Sequence, residues 1–431
     1  MDALSSNRDF KENPRLITEA KGVYLKNHHG KTMIDASSGL FCNPLGHGRK
    51  EITNAVAKQL EQLDYVQPFQ QGFGGSFELA RRISKHTPGN LNRIFYTICG
   101  STAVETAIKI VIAYHKAKGQ GQRFRFVGRE RAYHGMNIGA TSVGGMINNI
   151  KTFASVLMPG VVHMRHTHLP EHKFVSGQPE TGAELANDLE RICANFGGEN
   201  IAACIVEPIA GSTGTLVPPT GYLQTLREIC DKHGILLIFD EVQSFRIASG
   251  GAQEVFNVVP DLTALGKVIG GGLPVGAFGG KNELMALYDP TLPGGSKIPH
   301  AGTFNGNPMT MVAGQVVMNH LTDDSYVKMN HLGDILRHQL ESVFDEIGFD
   351  TQITGIGSLF GIHFSSDPIN DYRSIINSDQ DLKKALFFGL LNEGVLLQSS
   401  CAGALNILST EDDVSQLIDS VRRVAIRLKN Y

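Results

Sequence analysis

Short apolar runs alternate with helix-patterned segments through the middle of this 431-residue chain. The runs at 93–98, 124–128, 200–208 and 234–242 have strand length, and residues 102–119 carry apolar side chains at helical spacing. Runs that are apolar throughout are typical of strands buried on both faces, as the strands of parallel sheets are. The alternation therefore predicts βαβ units, a mostly parallel sheet and the α/β fold class.

The two ends of the chain have a different pattern. From about residue 310, longer helical segments enclose short strands such as 359–364, which predicts a smaller α+β unit. Residues 22–36 predict a hairpin that turns near His29-Gly30. A chain of this length exceeds one core of usual size. The expected division places 1–45 and 310–431 in the small unit and 46–309 in the large one.

Charge and composition exclude several classes of partner. A formal net charge of -3 gives no electrostatic reason to expect nucleic acid or an anionic membrane surface. The polar N-terminus does not resemble a signal peptide, and no apolar run reaches the roughly 20 residues of a membrane-spanning helix. Six scattered cysteines have no metal-ligand spacing, so neither a metal site nor a disulfide framework is expected. These features predict a cytoplasmic protein.

Polar residues follow three of the predicted strands. In doubly wound sheets, ligands bind beyond the carboxyl ends of the strands. Asp240 and Glu241 end one apolar run, and Glu207 ends another. Gly100 and Ser101 lie between a strand and a helix, where free backbone N–H groups favour a phosphate. An ordinary N-cap serine explains Ser101 equally well.

One lysine, Lys267, interrupts the uncharged stretch "LTALGKVIGGGLPVGAFGG" at 262–280. Burial of an ammonium group is costly, and apolar surroundings lower the pKa of a lysine, which makes it a nucleophile and proton carrier near neutral pH. A surface lysine that extends its amine to water is the alternative. A phosphate site, a buried acid and such a lysine together predict a pyridoxal phosphate site, in which the lysine forms the Schiff base and the acid pairs with the pyridinium nitrogen.

Six motifs resemble the class III aminotransferases, pyridoxal-phosphate enzymes of fold type I, over nearly the whole chain. The motifs are "CGSTAVETAIK" (99–109), "YHG" (133–135), "VEPIAGSTG" (206–214), "IFDEVQ" (238–243), "PDLTALGKVIGGGLPVGAFGG" (260–280) and "AGTFNGNP" (301–308). Residues 7–240 are most similar to ω-amino acid:pyruvate aminotransferases. The remainder is more similar to β-amino acid aminotransferases and glutamate-1-semialdehyde aminomutases.

The resemblance implies a role for each residue around the cofactor ring. Lys267 is the Schiff-base lysine and later carries the proton, Asp240 pairs with the ring nitrogen, and Glu207 orients Asp240. The other ring neighbours are Tyr133 stacked on one face, His134 beside it, Val242 on the opposite face and Gln243 near the phenolic oxygen. Without the resemblance, Tyr133 is equally well interpreted as a core aromatic.

The resemblance also implies a shared phosphate site. Gly100 and Ser101 bind the phosphate together with Thr303 from a partner subunit, which makes a homodimer, or a dimer of dimers, the active form. Taken alone, Thr303 is a turn residue.

The substrate side departs from the family pattern. Many members carry an arginine for a substrate carboxylate in a late loop, but 394–410 contains none. Arg246 is the nearest candidate for that role, and a surface or intersubunit salt bridge is the alternative. Phe41, Tyr65 and Phe69 are the candidate pocket aromatics, with core packing as the alternative for each.

These features predict a transaminase that moves an amino group from a β- or ω-amino acid, or another primary amine, to a 2-oxo acid such as pyruvate in a ping-pong reaction. One alternative is an aminomutase of the glutamate-1-semialdehyde type. A second is a catalytically silent protein of the same fold that serves as a binding protein. A nucleotide-binding α/β protein is disfavoured because the chain lacks GxGxxG and Walker A spacing.

Overall fold

The computed structural model describes residues 7–12, 14–89, 91–165, 174–175, 178–179, 183–212, 214–291, 293, 295–298, 300–367, 369 and 378–430. Residues 1–6, which belong to the predicted small unit, and Thr213, which belongs to the motif at 206–214, lie outside these ranges.

A seven-stranded sheet forms the centre of the molecule. Its strands are β4 (Arg93–Thr97), β5 (Arg125–Arg129), β6 (Val161–Met164), β9 (Ile201–Val206), β10 (Leu236–Asp240), β11 (Leu262–Gly266) and β12 (Gly276–Gly280). Their order is β4-β12-β11-β10-β9-β5-β6. All neighbours are parallel except β12, which is antiparallel to β4 and β11. The predicted α/β class and mostly parallel sheet are confirmed.

The α-helices of the described residues are α1 (Asn7–Glu12), α2 (Lys50–Gln62), α3 (Gly74–His86), α4 (Gly100–Ala117), α5 (Ile138–Val143), α6 (Ile147–Phe153), α7 (Asp188–Phe196), α8 (Tyr222–His233), α9 (Gly251–Val255), α10 (Asn282–Met285), α11 (Pro308–His320), α12 (Asp323–Ile347), α13 (Gln380–Glu393) and α14 (Glu411–Lys429). No helix among the described residues combines the length and apolar composition needed to cross a membrane.

Helices cover both faces of the central sheet, which explains why its strands are apolar throughout. Successive side chains of a strand point to opposite faces. In β10, Leu236 and Ile238 pack in one core cluster with residues of α4, whereas Leu237 and Phe239 pack in a second cluster with residues of α7 and α8. Every residue of β10 is buried as a result.

The remaining strands form smaller sheets outside the centre. They are β1 (Ile17–Lys21), β2 (Tyr24–Asn27), β3 (Thr32–Asp35), β7 (Phe174–Val175), β8 (Gln178–Pro179), β13 (Thr351–Thr354), β14 (Leu359–Phe364), β15 (Val395–Leu396) and β16 (Ala402–Ala404). The orders are β1-β2-β3-β15, β13-β14-β16 and β7-β8. The predicted hairpin is β2 and β3, and β3 pairs in parallel with β15.

The pairing of β3 with β15 joins the N-terminal and C-terminal segments in one sheet, as the expected small unit requires. The expected boundary at residue 309 falls inside α11. That helix packs on α2 and α3, and its Met311 and Met318 share a core cluster with Leu79 and Ile83. The division of the chain into domains stays a prediction.

Candidate active site

Three functional residues predicted from the sequence meet at one edge of the central sheet. Glu207, Asp240 and Lys267 end or directly follow β9, β10 and β11. These three strands are parallel neighbours. Their carboxyl ends therefore lie side by side at the edge where α/β sheets bind ligands.

Lys267 has an unusual backbone and environment. Its φ of +45° lies in the left-handed region, which a lysine rarely adopts, and such outliers concentrate at active sites. Its Nζ lies 5.2 Å from the centroid of the Phe41 ring, and no carboxylate of the described residues lies within ion-pair distance. Burial lowers the pKa of Lys267 below its usual value. The uncharged amine, which is the nucleophilic form, is favoured as a result.

Asp240 is held by His134. Its Oδ2 lies 2.8 Å from Nδ1 of His134, and its Oδ1 accepts a hydrogen bond from the backbone N–H of Val242 at 3.1 Å. The His134 side chain is fully buried, and its Nε2 has no hydrogen-bond partner among the described residues. His134 therefore fixes the orientation of the carboxylate.

Glu207 does not make the expected contact with Asp240. Among the described residues its carboxylate accepts hydrogen bonds from the backbone N–H groups of Tyr133, at 3.0 Å, and Gly211, at 3.2 Å. Burial raises the pKa of Glu207 above its usual value. The expectation that Glu207 orients Asp240 directly is therefore corrected, because Glu207 instead holds the backbone on either side of the site.

The N-terminus of α4 lies where the sequence predicts a phosphate site. The N-cap of this helix is Cys99, so the N-cap interpretation of Ser101 is wrong. The hydroxyl of Ser101 accepts a hydrogen bond from the backbone N–H of Met136 at 3.2 Å. A Cβ atom on Gly135 would lie 2.5 Å from that hydroxyl. The segment 133–136 therefore packs directly on the start of α4, where unpaired N–H groups attract anions.

The Val242 side chain packs against two glycines of the candidate site. A Cβ atom on Gly100 would lie 2.9 Å from both γ-methyl groups of Val242, and one on Gly266 would lie 3.3 Å from one of them. Only glycine leaves this space open at Gly100. The Val242 side chain thus lies between the start of α4 and the residue that precedes Lys267.

Gln243 follows Val242 in the chain, and its side chain packs against Gly211. Its Oε1 would be 2.2 Å from a Cβ atom on Gly211, and its Nε2 is buried without a partner among the described residues. An unpaired buried donor is costly unless a ligand or water accepts from it.

These residues fit pyridoxal phosphate. The start of α4 suits its phosphate, Asp240 suits the pyridinium nitrogen, and the unpaired Nε2 of Gln243 suits the phenolic oxygen. The glycine at position 100 lets Val242 pack directly against the start of α4.

The candidate pocket aromatics divide into two groups. Phe41 is buried in a cluster with Ile209 and Leu359, while its ring also faces Lys267. Tyr65 and Phe69 are exposed, so core packing is wrong for both.

Thr303 lies apart from the Lys267 cluster, by which we mean Gly100, Ser101, Asp240, Val242 and Lys267. No hydrogen bond among the described residues joins Thr303 to any of them. Its backbone carbonyl accepts a hydrogen bond from the Tyr65 hydroxyl at 3.0 Å, and both residues are exposed. The ring of the adjacent Phe304 lies 6.4 Å from that of Tyr65 and is 62% exposed.

Arg246 is fully buried, with 0% of its surface exposed. No carboxylate of the described residues lies within 4.0 Å of its guanidinium group, so the salt-bridge interpretation is wrong. It donates instead to three neutral oxygen atoms, the hydroxyls of Ser38 and Ser358 and the carbonyl of Leu405. Burial lowers the pKa of Arg246 to about 10.

Sequence reasoning missed Arg129 at this site. The Arg129 side chain is buried and donates to the backbone carbonyl of Glu207 at 3.2 Å. Its position at the end of the apolar run of β5 was the available signal, because a cation at the end of a buried strand needs a nearby acceptor.

A mostly parallel sheet that carries an anion site, a carboxylate and a lysine at its carboxyl edge defines the fold type I class of pyridoxal-phosphate enzymes. Residues 5–415 match the family model of the class III aminotransferases, and the chain belongs to that family. It is therefore a pyridoxal-phosphate-dependent aminotransferase.

Two relatives are named for transamination. An omega-aminotransferase of Caulobacter vibrioides is 37% identical over 98% of this chain and 95% of its own length. A beta-alanine–pyruvate aminotransferase of Pseudomonas aeruginosa is 42% identical over 76% of this chain and 74% of its own length.

A third relative is named for a different reaction. A glutamate-1-semialdehyde 2,1-aminomutase of Thermosipho africanus is 34% identical over 96% of this chain and 93% of its own length. Among solved structures, the omega-transaminase of Sphaerobacter thermophilus superimposes with a TM-score of 0.83 at 30% identity, over 97% of this chain and 92% of that one.

Proposed function

We propose that this enzyme transfers the amino group of a β- or ω-amino acid, or of another primary amine, to a 2-oxo acid such as pyruvate. The observation that carries this proposal is the placement of Lys267 beside Phe41, at the end of the strand that neighbours the one ending in Asp240, whose carboxylate His134 holds. The names of the relatives support amine donors of the ω type and pyruvate as acceptor. A ping-pong order follows, because one site handles both halves of the reaction in turn.

Each site residue has a separate task in this proposal. Bound pyridoxal phosphate supplies the electron sink that allows the C–H bond beside the amine to break. Lys267 holds the cofactor at rest and moves the proton, as the lowered pKa of its amine allows. Asp240 keeps a proton on the ring nitrogen, and His134 keeps Asp240 in place. The N-terminus of α4, with Gly100 and Ser101, holds the phosphate.

The remaining cofactor contacts are proposed from the family resemblance. Tyr133 is held by Glu207 through its backbone and would stack on the ring, Val242 would pack on the opposite face, and the unpaired Nε2 of Gln243 would donate to the phenolic oxygen. Phe41, Tyr65 and Phe69 form walls of the substrate pocket.

The donor carboxylate, where there is one, is not held by an arginine of residues 394–410, since that segment has none. This supports donors whose amine is remote from a carboxylate or that carry none. A cytoplasmic location stays a prediction.

An aminomutase of the glutamate-1-semialdehyde type is the second candidate, favoured by the aminomutase relative. An aminomutase returns the amino group to the same carbon skeleton, so it consumes its substrate without an added acceptor. A silent binding protein is disfavoured, because the lysine, the carboxylate and the start of α4 all lie at the carboxyl ends of strands of one sheet.

The first prediction tests donor and acceptor together. The purified enzyme with pyridoxal phosphate is expected to consume 1-phenylethylamine and 3-aminobutanoate only when pyruvate or 2-oxoglutarate is added, and to form alanine or glutamate in equal amount. Product amino acid is measured by chromatography. Turnover of glutamate-1-semialdehyde without any acceptor would favour the aminomutase, and a wild-type protein that takes up no pyridoxal phosphate would contradict both.

We further propose that the active form is a homodimer, or a dimer of dimers, in which Thr303 binds the phosphate of the partner's cofactor. The support is that Thr303 is exposed and lies apart from the Lys267 cluster in its own chain. The exposed rings of Phe304 and Tyr65 contact each other beside Thr303, with their centroids 6.4 Å apart. Contiguous exposed apolar surface is typical of a protein–protein interface.

The second prediction uses hybrid dimers. A Lys267→Ala chain and a Thr303→Asp chain are each expected to be inactive as homodimers, the second because its carboxylate repels the phosphate. A hybrid of the two, purified by separate tags, is expected to recover about half of the wild-type rate per dimer, since one of its two sites combines an intact Lys267 with an intact Thr303. A hybrid without activity would show that Thr303 serves the site of its own chain.

A further inference from the structure

A strained turn lies beside the catalytic lysine. Four consecutive residues, Ser38, Gly39, Leu40 and Phe41, have φ values of +51°, +58°, +56° and +69°. Residues other than glycine rarely adopt this left-handed region, because their Cβ atom crowds the following carbonyl oxygen. Backbone strain of this kind persists only where the surrounding structure holds it, and it concentrates at functional sites.

Asp35 holds this turn from one side. Its Oδ1 accepts from both the backbone N–H and the hydroxyl of Ser37, at 3.0 and 2.7 Å. Its Oδ2 accepts from the backbone N–H of Gly39 at 2.6 Å and lies 2.7 Å from Nε2 of His47. Asp35 is 3% exposed, so these bonds are formed away from water.

Arg246 holds the turn from the other side. Its Nη2 donates to the hydroxyl of Ser38 at 3.4 Å and to the carbonyl of Leu405, and its Nε donates to the hydroxyl of Ser358 at 3.3 Å. Ser358 precedes β14, and Leu405 follows β16. One guanidinium group thus ties the strained turn to two loops of the C-terminal segment.

Phe41 is the point where this network reaches the active site. The guanidinium carbon of Arg246 lies 5.9 Å from the centroid of the Phe41 ring, and Nζ of Lys267 lies 5.2 Å from the same centroid. Phe41 is 2% exposed and packs against Ile209, Ile247 and Leu359. A change in the position of Arg246 would therefore move a ring that faces the reacting amine.

We infer that Arg246 is a positioning residue: it holds the turn of residues 38–41 so that the ring of Phe41 limits the size of donor that reaches Lys267, and it does not bind a substrate carboxylate. This inference rests on the proposed transaminase function. Three neutral oxygen atoms orient the guanidinium group, and its full burial separates it from substrate. Nη1 is buried without a partner among the described residues, so carboxylate binding at this atom is the alternative that a donor with a carboxylate tests.

The third prediction tests this inference in the first half-reaction. The holoenzyme is mixed with 2-aminobutane, 1-phenylethylamine or 3-aminobutanoate, and the loss of the visible cofactor band is followed for each donor. Arg246→Met is expected to raise the ratio of rate constants for 1-phenylethylamine over 2-aminobutane by about tenfold, an effect typical of a change in space in an apolar pocket. Phe41→Leu is expected to shift the ratio in the same direction.

A double variant and a matched pair of serine variants complete the test. In the Phe41→Leu background, Arg246→Met is expected to add less than about twofold, because residues that act through one contact are not additive. Ser38→Ala removes a bond to Arg246 within the turn and is expected to shift the ratio, whereas Ser342→Ala removes a bond within α12 and is expected to leave it unchanged. If Arg246→Met does not fold, the two serine variants still test the inference.

Three outcomes would overturn the inference. A loss confined to 3-aminobutanoate would show that Arg246 binds the carboxylate. An equal loss for all three donors would show that Arg246 only stabilises the fold. A wild-type enzyme whose band responds to no amine would overturn the proposed function, and the inference with it.

Discussion

Replacement of Lys267 with alanine is expected to abolish transamination and to remove the visible absorption band of the bound cofactor. Among the described residues, Lys267 alone combines a strained backbone, an amine with a lowered pKa and a place at the carboxyl end of β11. Loss of a residue that bonds covalently during the reaction lowers kcat on the order of 10⁶-fold. The rate of alanine formation and the visible spectrum are the measurements.

Lys281 provides the matched control for this prediction. It follows β12, which pairs with β11, but its Nζ bonds Asp261 at the opposite end of these strands. Lys281→Ala is expected to retain both the band and the activity. Treatment of the wild type with borohydride is expected to fix the cofactor on the peptide that contains Lys267, as seen by mass spectrometry. A Lys267→Ala enzyme with normal turnover would contradict the assignment.

Replacement of Asp240 with asparagine is expected to lower kcat by about 10³-fold, the upper range for loss of one preorganised electrostatic contact. The amide keeps the size of the side chain and can still bond His134 and the Val242 N–H. It lacks the negative charge that keeps a proton on the ring nitrogen, so the expected effect falls on kcat. The rate of the first half-reaction with a reactive amine, measured in a single turnover, gives the size of this effect.

The adjacent Glu241 tests whether the effect is specific to Asp240. Burial raises the pKa of Glu241 to about 7. Its carboxylate accepts hydrogen bonds from Ser244, Ala252 and Gln253, which lie outside the candidate active site. Glu241→Gln is expected to lower Tm while the folded enzyme retains its kcat within about tenfold, since a lost buried hydrogen bond affects stability. If both variants lost kcat equally, the special role of Asp240 would be wrong.

The placement of Lys267, Asp240 and Glu207 at one edge was predictable from the sequence. Each follows a run of buried strand residues directly, and parallel strands bring their carboxyl ends to the same edge. The glycine-serine pair before α4 was predictable for the same reason, although Cys99 rather than Ser101 caps the helix.

The contacts of these residues were less predictable. His134 lies 106 positions from Asp240 along the chain. No local sequence pattern therefore indicates that His134, rather than Glu207, contacts Asp240. The positive φ values of Leu40 and Phe41 were not predictable either, because both residue types normally avoid that region.

The sequence by itself therefore determined the α/β class, the edge of the sheet at which Glu207, Asp240 and Lys267 meet, and the identity of the lysine and the carboxylate proposed to perform the chemistry there. Hydrophobic periodicity and strand-end residues are local signals, and the chain carries them without any tertiary contact. Only the tertiary structure decided that Arg246 is buried and holds the turn of residues 38–41, since Ser38, Ser358 and Leu405 are distant along the chain and meet only after folding. Desolvation and hydrogen-bond partners depend on that packing, and they decide what a buried cation can do.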